Sequence, residues 1–302
     1  MKRTLFVMIL SLVLTFTTLL TGCNWLVVAK DAGQVVTKEY DLADFDAVDV
    51  SSAFVVEITR ADNYSVSVTS RESAFKRIQV STTGRTLRVA VDGLFVSFGG
   101  TDRPLEAAIT MPELLDLKIS GASRATVKGF ESEKDLVTEV SGASSLDLTS
   151  KTGDFVCRAS GASKVTAVIK STSVDIRQSG ASSMVLDVET GRFVYEASGS
   201  SDAKGVLRAQ STSISLAGAS DLQLTGSGGN LKMTESGSSG AKLQGFNVRD
   251  ADLHISGASD ADVDIEGKLD LTLSGSSSLK YGGNPTFGER MEVTGGSKIE
   301  RR

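Results

Sequence analysis

Apolar residues fall two apart in short runs along this chain, and the runs are phased on a recurring Ser-Gly-Ala-Ser tetrapeptide or a close variant of it. Four residues before its glycine stand Leu117, Thr138, Cys157, Ile176, Tyr195, Ile214, Met233, Leu253, Leu271 and Met291. Four residues after it stand Ala125, Leu146, Val165, Met184, Ala203, Leu222, Ala241, Ala261, Leu279 and Ile299, and six after it Val127, Leu148, Leu186, Leu224, Leu243 and Val263 continue the alternation. A period of two on both flanks is strand patterning, with no 3.6-residue helical period. The glycines are Gly121, Gly142, Gly161, Gly180, Gly199, Gly218, Gly237, Gly257, Gly275 and Gly295, at spacings of 21, 19, 19, 19, 19, 19, 20, 18 and 20. A fixed period of this size marks a unit that cannot bury its apolar side alone and is stacked on copies of itself.

Each unit reads as a strand, a tight Ser/Gly corner, a second strand and another turn, which is one coil of a parallel β-helix. The left-handed hexapeptide form needs an aliphatic residue every six positions, which is missing, so the pattern favours a right-handed parallel β-helix, a β-solenoid with coils of about 19 residues. The leucine-rich repeat signature is absent, and the period excludes the Ca²⁺-binding nonapeptide repeat. Ten coils at about 4.8 Å make a rod of roughly 48 Å. The residue two after the glycine is serine in every unit, from Ser123 to Ser297, and the residue between them is Ala, Ser or Gly. Glycine supplies a backbone conformation that other residues resist, and serines satisfy backbone groups at a corner, so the serine row reads as structural.

The ten regular coils occupy 116–302. Before them, 39–115 carries the same alternation in runs such as Phe54-Val55-Val56-Glu57-Ile58 and Leu87-Arg88-Val89-Ala90-Val91, with a short helix or turn expected in 71–78. These read as irregular N-terminal coils that cap a single solenoid domain, 39–302. The charges of Glu300, Arg301 and Arg302, after Ile299 in the last coil, either protect an open edge from pairing or leave it available for end-to-end self-association.

The first 22 residues have a different character. Lys2 and Arg3 precede the apolar run from Leu5 to Leu20, and Leu20-Thr21-Gly22-Cys23 follows. A basic start, a short apolar stretch and small residues at a cleavage point describe a secretory signal, 1–22. The run is too short and wrongly flanked for a comfortable membrane span. Its cysteine resembles that of a bacterial lipobox, which implies cleavage before Cys23, acylation there and a tether over 23–38; the alternative is an ordinary signal peptide. Two or three acyl chains hold stably where one does not. The expected location is the bacterial cell envelope, extracytoplasmic and anchored to a membrane through the lipid on Cys23. Asn24 in place of Asp is, by resemblance to enterobacterial sorting, compatible with an outer membrane.

Loss of 1–22 removes two cations and no anions, so the formal charge moves from −5 to −7. That balance argues against nucleic acid as a partner and against a polybasic grip on lipid. The remaining cysteine, Cys157, stands in an inward apolar column and reads as a buried small hydrophobe, with no disulfide expected.

Candidate chemistry is sparse. Asp202 and Asp221 share an outward column in neighbouring coils, and Asp260 follows two coils on with Gly240 between, which gives either a carboxylate ladder with weak affinity for Ca²⁺ or part of a mixed solvated face, since Arg124, Lys164 and Lys298 share the column. Three residues before the glycine, Lys118, Glu139, Arg158, Arg177 and Glu196 include opposite charges on adjacent strands. The single histidine, His254, has no second histidine for a metal site or triad, and no glycine-rich loop leads into a helix to cradle phosphate. Neither a cofactor nor a metal is expected. In the segment 92–101, Phe95 and Phe98 lie on a glycine-flanked loop and either contact a partner or fold back over the N-terminal coils.

The lead-in Phe45-Asp46-Ala47-Val48-Asp49-Val50, the stretch Thr110-Met111-Pro112-Glu113-Leu114 and the coils that follow resemble the bacterial family called putative autotransporter adhesin, head GIN domain. The resemblance covers roughly residue 40 to the end and implies a right-handed β-helix of unknown function, common on lipoproteins and secreted chains, with no catalytic residues to carry over. The expected function is a non-enzymatic, lipid-anchored, adhesin-like module whose partner is a glycan or surface protein. A structural scaffold assembling through coil ends is the alternative, and a polysaccharide-acting enzyme using Asp202 and Asp221 comes third.

Overall fold

A computed structural model of the chain describes residues 33–93 and 105–302. The period-two patterning becomes strands whose alternate side chains point inward. In Lys164–Gln178 the buried residues are Val165, Ala167 and Ile169, and beyond a bend near Thr172 they are Val174, Ile176 and Gln178. The bend turns the second half back so that both inward faces meet inside one flattened coil.

Successive coils pair in parallel, like residue over like. Lys164 lies beside Ser183, Ser183 beside Asp202, and Asp202 beside Asp221, and the register holds without a shift through Lys164–Gln178, Ser183–Ala197, Asp202–Leu216 and Asp221–Glu235. The first halves form one parallel sheet from Arg124–Glu131 through to Lys298–Arg301. The second halves form the other, from Asp116–Ile119 through to Thr286–Val293. One hydrophobic core runs between them from Phe45 to Leu279. The expected β-solenoid is observed.

The glycine corners have two separate physical requirements. All ten repeat glycines have positive φ, between 65° and 82°, a region that L-residues with a Cβ rarely enter. From Gly142 on, each glycine also sits against the glycine one coil earlier, while Gly121 sits against the Ser52 backbone: a Cβ on Gly180 would lie 2.6 Å from the carbonyl oxygen of Gly161. That oxygen is occupied, because it accepts the amide of Ala181 at 2.8 Å, and the same bond recurs from Ala162 on Gly142 to Gly296 on Gly275. The serine two residues on closes the corner. Oγ of Ser182, Ser201, Ser220, Ser239, Ser259 and Ser277 donates to the carbonyl three residues back at 2.7–3.3 Å.

The irregular N-terminal stretch takes a definite form. Ala47–Val50 and Val55–Arg60 join the two sheets in parallel. Antiparallel strands then cover both edges: Ile78–Thr83 lies on Thr86–Val91, while Ser65–Arg71 lies on Glu106–Met111 and carries Val35–Tyr40 outside it. This cap begins at Val35, inside the stretch that the sequence marks as tether. A 3₁₀ turn, Glu72–Lys76, falls where a short helix or turn is expected.

The coil after Gly218 departs from the repeat. Its second bend is Gly226-Ser227-Gly228-Gly229, and the register against Gly240–Ile255 shifts at three places there. With no side chain at Gly228, the coil leaves a space there, and the ring of Phe246 in the next coil fills it, where a Cβ on Gly228 would collide; a Cβ on Gly226 would instead meet the Leu207 backbone. One coil supplies the side-chain volume that its neighbour lacks.

Candidate contact surfaces and buried polar groups

Cys23, Phe95 and Phe98 lie outside the described residues. The carboxylate column is placed as its spacing implies: Asp202 beside Asp221, Asp221 beside Gly240, and Gly240 beside Asp260, with all three aspartates exposed. Gly240 leaves a notch, part of a groove of about 690 Å³ whose walls also include Lys242, Asp262 and Lys280. The lysines offset the acids. Asp262 and Asp264 are engaged by Arg302, Asp262 at 2.8 Å and Asp264 at 2.5 Å. Among the described residues, no group of three His, Cys, Asp or Glu side chains converges as a metal site would.

Two of the cross-strand charge pairs are made: Lys118 reaches Glu139 at 4.0 Å and Arg177 reaches Glu196 at 3.1 Å. Both are exposed, and such a pair contributes about 0–1 kcal/mol. His254 Nδ1 lies 3.4 Å from Asp252 Oδ1, an oxygen that also takes the Arg290 guanidinium. The histidine thus lies beside the Arg290–Asp252 ion pair on the second-half sheet.

Cys157 is fully buried, and burial pushes its thiol up to about 11 against a weaker opposing hydrogen bond from Thr138. Because the thiolate is the reacting species, the Cys157 peptide of folded protein is expected to stay unalkylated by iodoacetamide at pH 8 for a period that suffices for complete reaction in denaturant. Equal labelling in both conditions would show that the core opens there.

The column two before the glycine holds groups that the columns four before and four after do not reveal. It reads Ile119, Val140, Ala159, Gln178, Ala197, Leu216, Glu235, Ile255, Leu273 and Val293, apolar apart from two members. Gln178 is buried and fully used: its Nε2 donates to the carbonyls of Ser182 at 2.7 Å and Asp202 at 2.9 Å, and its Oε1 accepts from the Tyr195 hydroxyl at 2.7 Å. Burial holds the Tyr195 phenol well above its usual range, so it remains a donor. Glu235 is also completely buried, and neither carboxyl oxygen has a hydrogen-bond partner. Burial foremost, then the negative charges of Asp260 and Asp221, push its pKa up to about 8.

The outward face of the first-half sheet carries a different signal. Val168 is 45% exposed and Val185 37%, and among the described residues from 116 to 283 no other large hydrophobic side chain is so open. Val168 borders a shallow groove of about 670 Å³ with Thr149, Lys170, Asp187, Glu189 and Arg208. Its rim is ion-paired, Lys170 to Glu189 at 2.8 Å and Arg208 to Asp187 at 3.6 Å. No described helix is long and apolar enough to cross a membrane.

A family model described as "Putative auto-transporter adhesin, head GIN domain" matches residues 44–187 and 171–285. Among solved structures, the chain is similar to a putative adhesin from Parabacteroides distasonis, at 16% identity and a TM-score of 0.53, over 90% of this chain and 98% of that one. It is likewise similar to a putative adhesin from Parabacteroides merdae, at 14% identity and a TM-score of 0.52, over 90% of this chain and 97% of the other. At these identities the likeness establishes the fold. No curated protein matches.

Proposed function

Because the chain belongs to the putative auto-transporter adhesin, head GIN domain family, we propose that it is a non-enzymatic, adhesin-like module of the bacterial cell envelope, held by a lipid on Cys23, that contacts a surface protein or glycan through the outward face of its first-half sheet. The observation that carries this reading is the exposure of Val168 and Val185, with half-buried Val206 nearby, on an otherwise mostly polar strand face with an ion-paired rim. Apolar side chains ringed by polar ones are where contact energy concentrates. The stack of parallel coils presents that face on rigid backbone, so little ordering cost opposes binding. Two of the solved structures that the chain resembles are named putative adhesins, which supports a contact role, and the basic and apolar start ending in Leu20-Thr21-Gly22-Cys23 supports the anchor.

The test is binding of a soluble form starting at residue 30 to a panel of cell-wall glycans, host glycans and matrix proteins, with oligomeric state followed by light scattering. Saturable binding by monomer is expected, and a Val168→Glu, Val185→Glu double variant with unchanged circular dichroism is expected to lose at least tenfold in affinity. Binding indifferent to that variant would remove this face from the reading, and concentration-dependent rods without binding would favour the scaffold. In cells, Cys23→Ala is expected to abolish incorporation of labelled fatty acid and release the chain from membranes; continued incorporation would rule out Cys23 as the acylated residue.

A further inference from the structure

Glu235 ends the strand Asp221–Glu235 and is stacked between Leu216 and Ile255, both apolar. The ionisable groups acting on it are Asp221, on its own strand, and Asp260, on Asp260–Ile265, and both are acidic. Gln178, in the same column, shows what the position asks of a polar side chain: donation to carbonyl oxygens at the corner. A carboxylate has no proton to donate, whereas a protonated carboxyl has one. The carboxyl sits in a stretch paired in register on both sides, but the same strand carries the Gly226-Ser227-Gly228-Gly229 bend, where its pairing with Gly240–Ile255 shifts three times between Gln223 and Asn230, whereas the pairing between Lys164–Gln178 and Asp202–Leu216 has no shift.

We propose that residues 221–255 form a pH-gated seam in the rod, closed while Glu235 carries its proton and opened locally when the proton is lost, with the coils before Gly218 remaining folded. In a solenoid each coil contacts only its neighbours, so a coil can loosen without unfolding the whole. The sign follows from linkage. The open state binds the Glu235 proton with ordinary carboxyl affinity and the closed state more tightly, so closure is complete at acid pH and weakens as pH rises. The opening equilibrium grows about tenfold per pH unit from roughly pH 5 until the closed-state value near 8 is passed, then levels off.

The experiment is hydrogen–deuterium exchange of the full chain at pH 6 and pH 8.5, with exchange times matched for the intrinsic pH dependence, on wild type, Glu235→Gln and Glu235→Leu. Peptides within 221–255 of wild type are expected to exchange at least tenfold faster at pH 8.5, while peptides within 140–180 do not change. In both variants the pH effect over 221–255 is expected to vanish. Equal protection of wild-type 221–255 at the two pH values would overturn the proposal, and so would a pH effect that persists in both variants. Glu235→Leu has no titratable or donor group, so its behaviour separates proton loss at this site from a general loosening of the bend.

Discussion

Gly180→Ala is expected to destabilise the protein by about 2–5 kcal/mol, read from urea unfolding followed by circular dichroism. Two costs act together. The backbone at 180 has φ of +75°, which costs a residue with a Cβ about 1–2 kcal/mol. The new methyl would also stand 2.6 Å from the Gly161 carbonyl oxygen, and relieving an overpacked contact costs about 1–3 kcal/mol. That oxygen cannot retreat without stretching its bond from the Ala181 amide. Gly84 separates the two costs, since it has φ of +58° but nothing within 4 Å of an added Cβ. Gly84→Ala should therefore show the backbone cost alone, about 1–2 kcal/mol. If the two variants were equally mild, the stacked-glycine account of the repeat would be wrong.

The second large effect concerns Gln178 and Tyr195. Gln178→Leu leaves the buried Tyr195 hydroxyl without its acceptor, and Tyr195→Phe leaves Gln178 Oε1 without its donor. Each single change is expected to cost about 1–3 kcal/mol, the penalty for a stranded buried polar group. The double variant is expected to be more stable than the sum of the two by about 1–2 kcal/mol, because neither orphan remains. Thermal or urea unfolding of the four proteins closes the cycle, and simple additivity would show that the 2.7 Å contact contributes nothing of its own.

These predictions rest on features that differ in how far a reader of residues can reach them. The inward columns four before and four after the glycine are legible because the same environment is sampled ten times, so single exceptions such as Thr138 do not obscure the rule. The corner is legible for the same reason. The N-terminal cap is not: Ser65–Arg71 and Ile78–Thr83 alternate just as the parallel strands do, and alternation carries no information on strand direction. The polar groups at Gln178 and Glu235 are visible in the column two before the glycine, yet they become meaningful only once that column is known to face inward. Val168 and Val185 pose the converse difficulty. A valine in a strand-rich chain looks like core until the register places it outside, and the exposed face therefore emerges from the fold alone.

The filling of the space at Gly228 by Phe246 bears on how the number of units can change. Between Gly161 and Gly218 the units are of equal length and in unbroken register, so recombination between them can delete or duplicate a whole unit and still leave every remaining side chain over an equivalent neighbour. A crossover that parts Gly228 from Phe246 leaves one coil with a void and another with a ring that has nowhere to go. Changes in rod length over generations should accordingly collect in the uniform stretch, while the pair of coils around Phe246 is inherited as a single block.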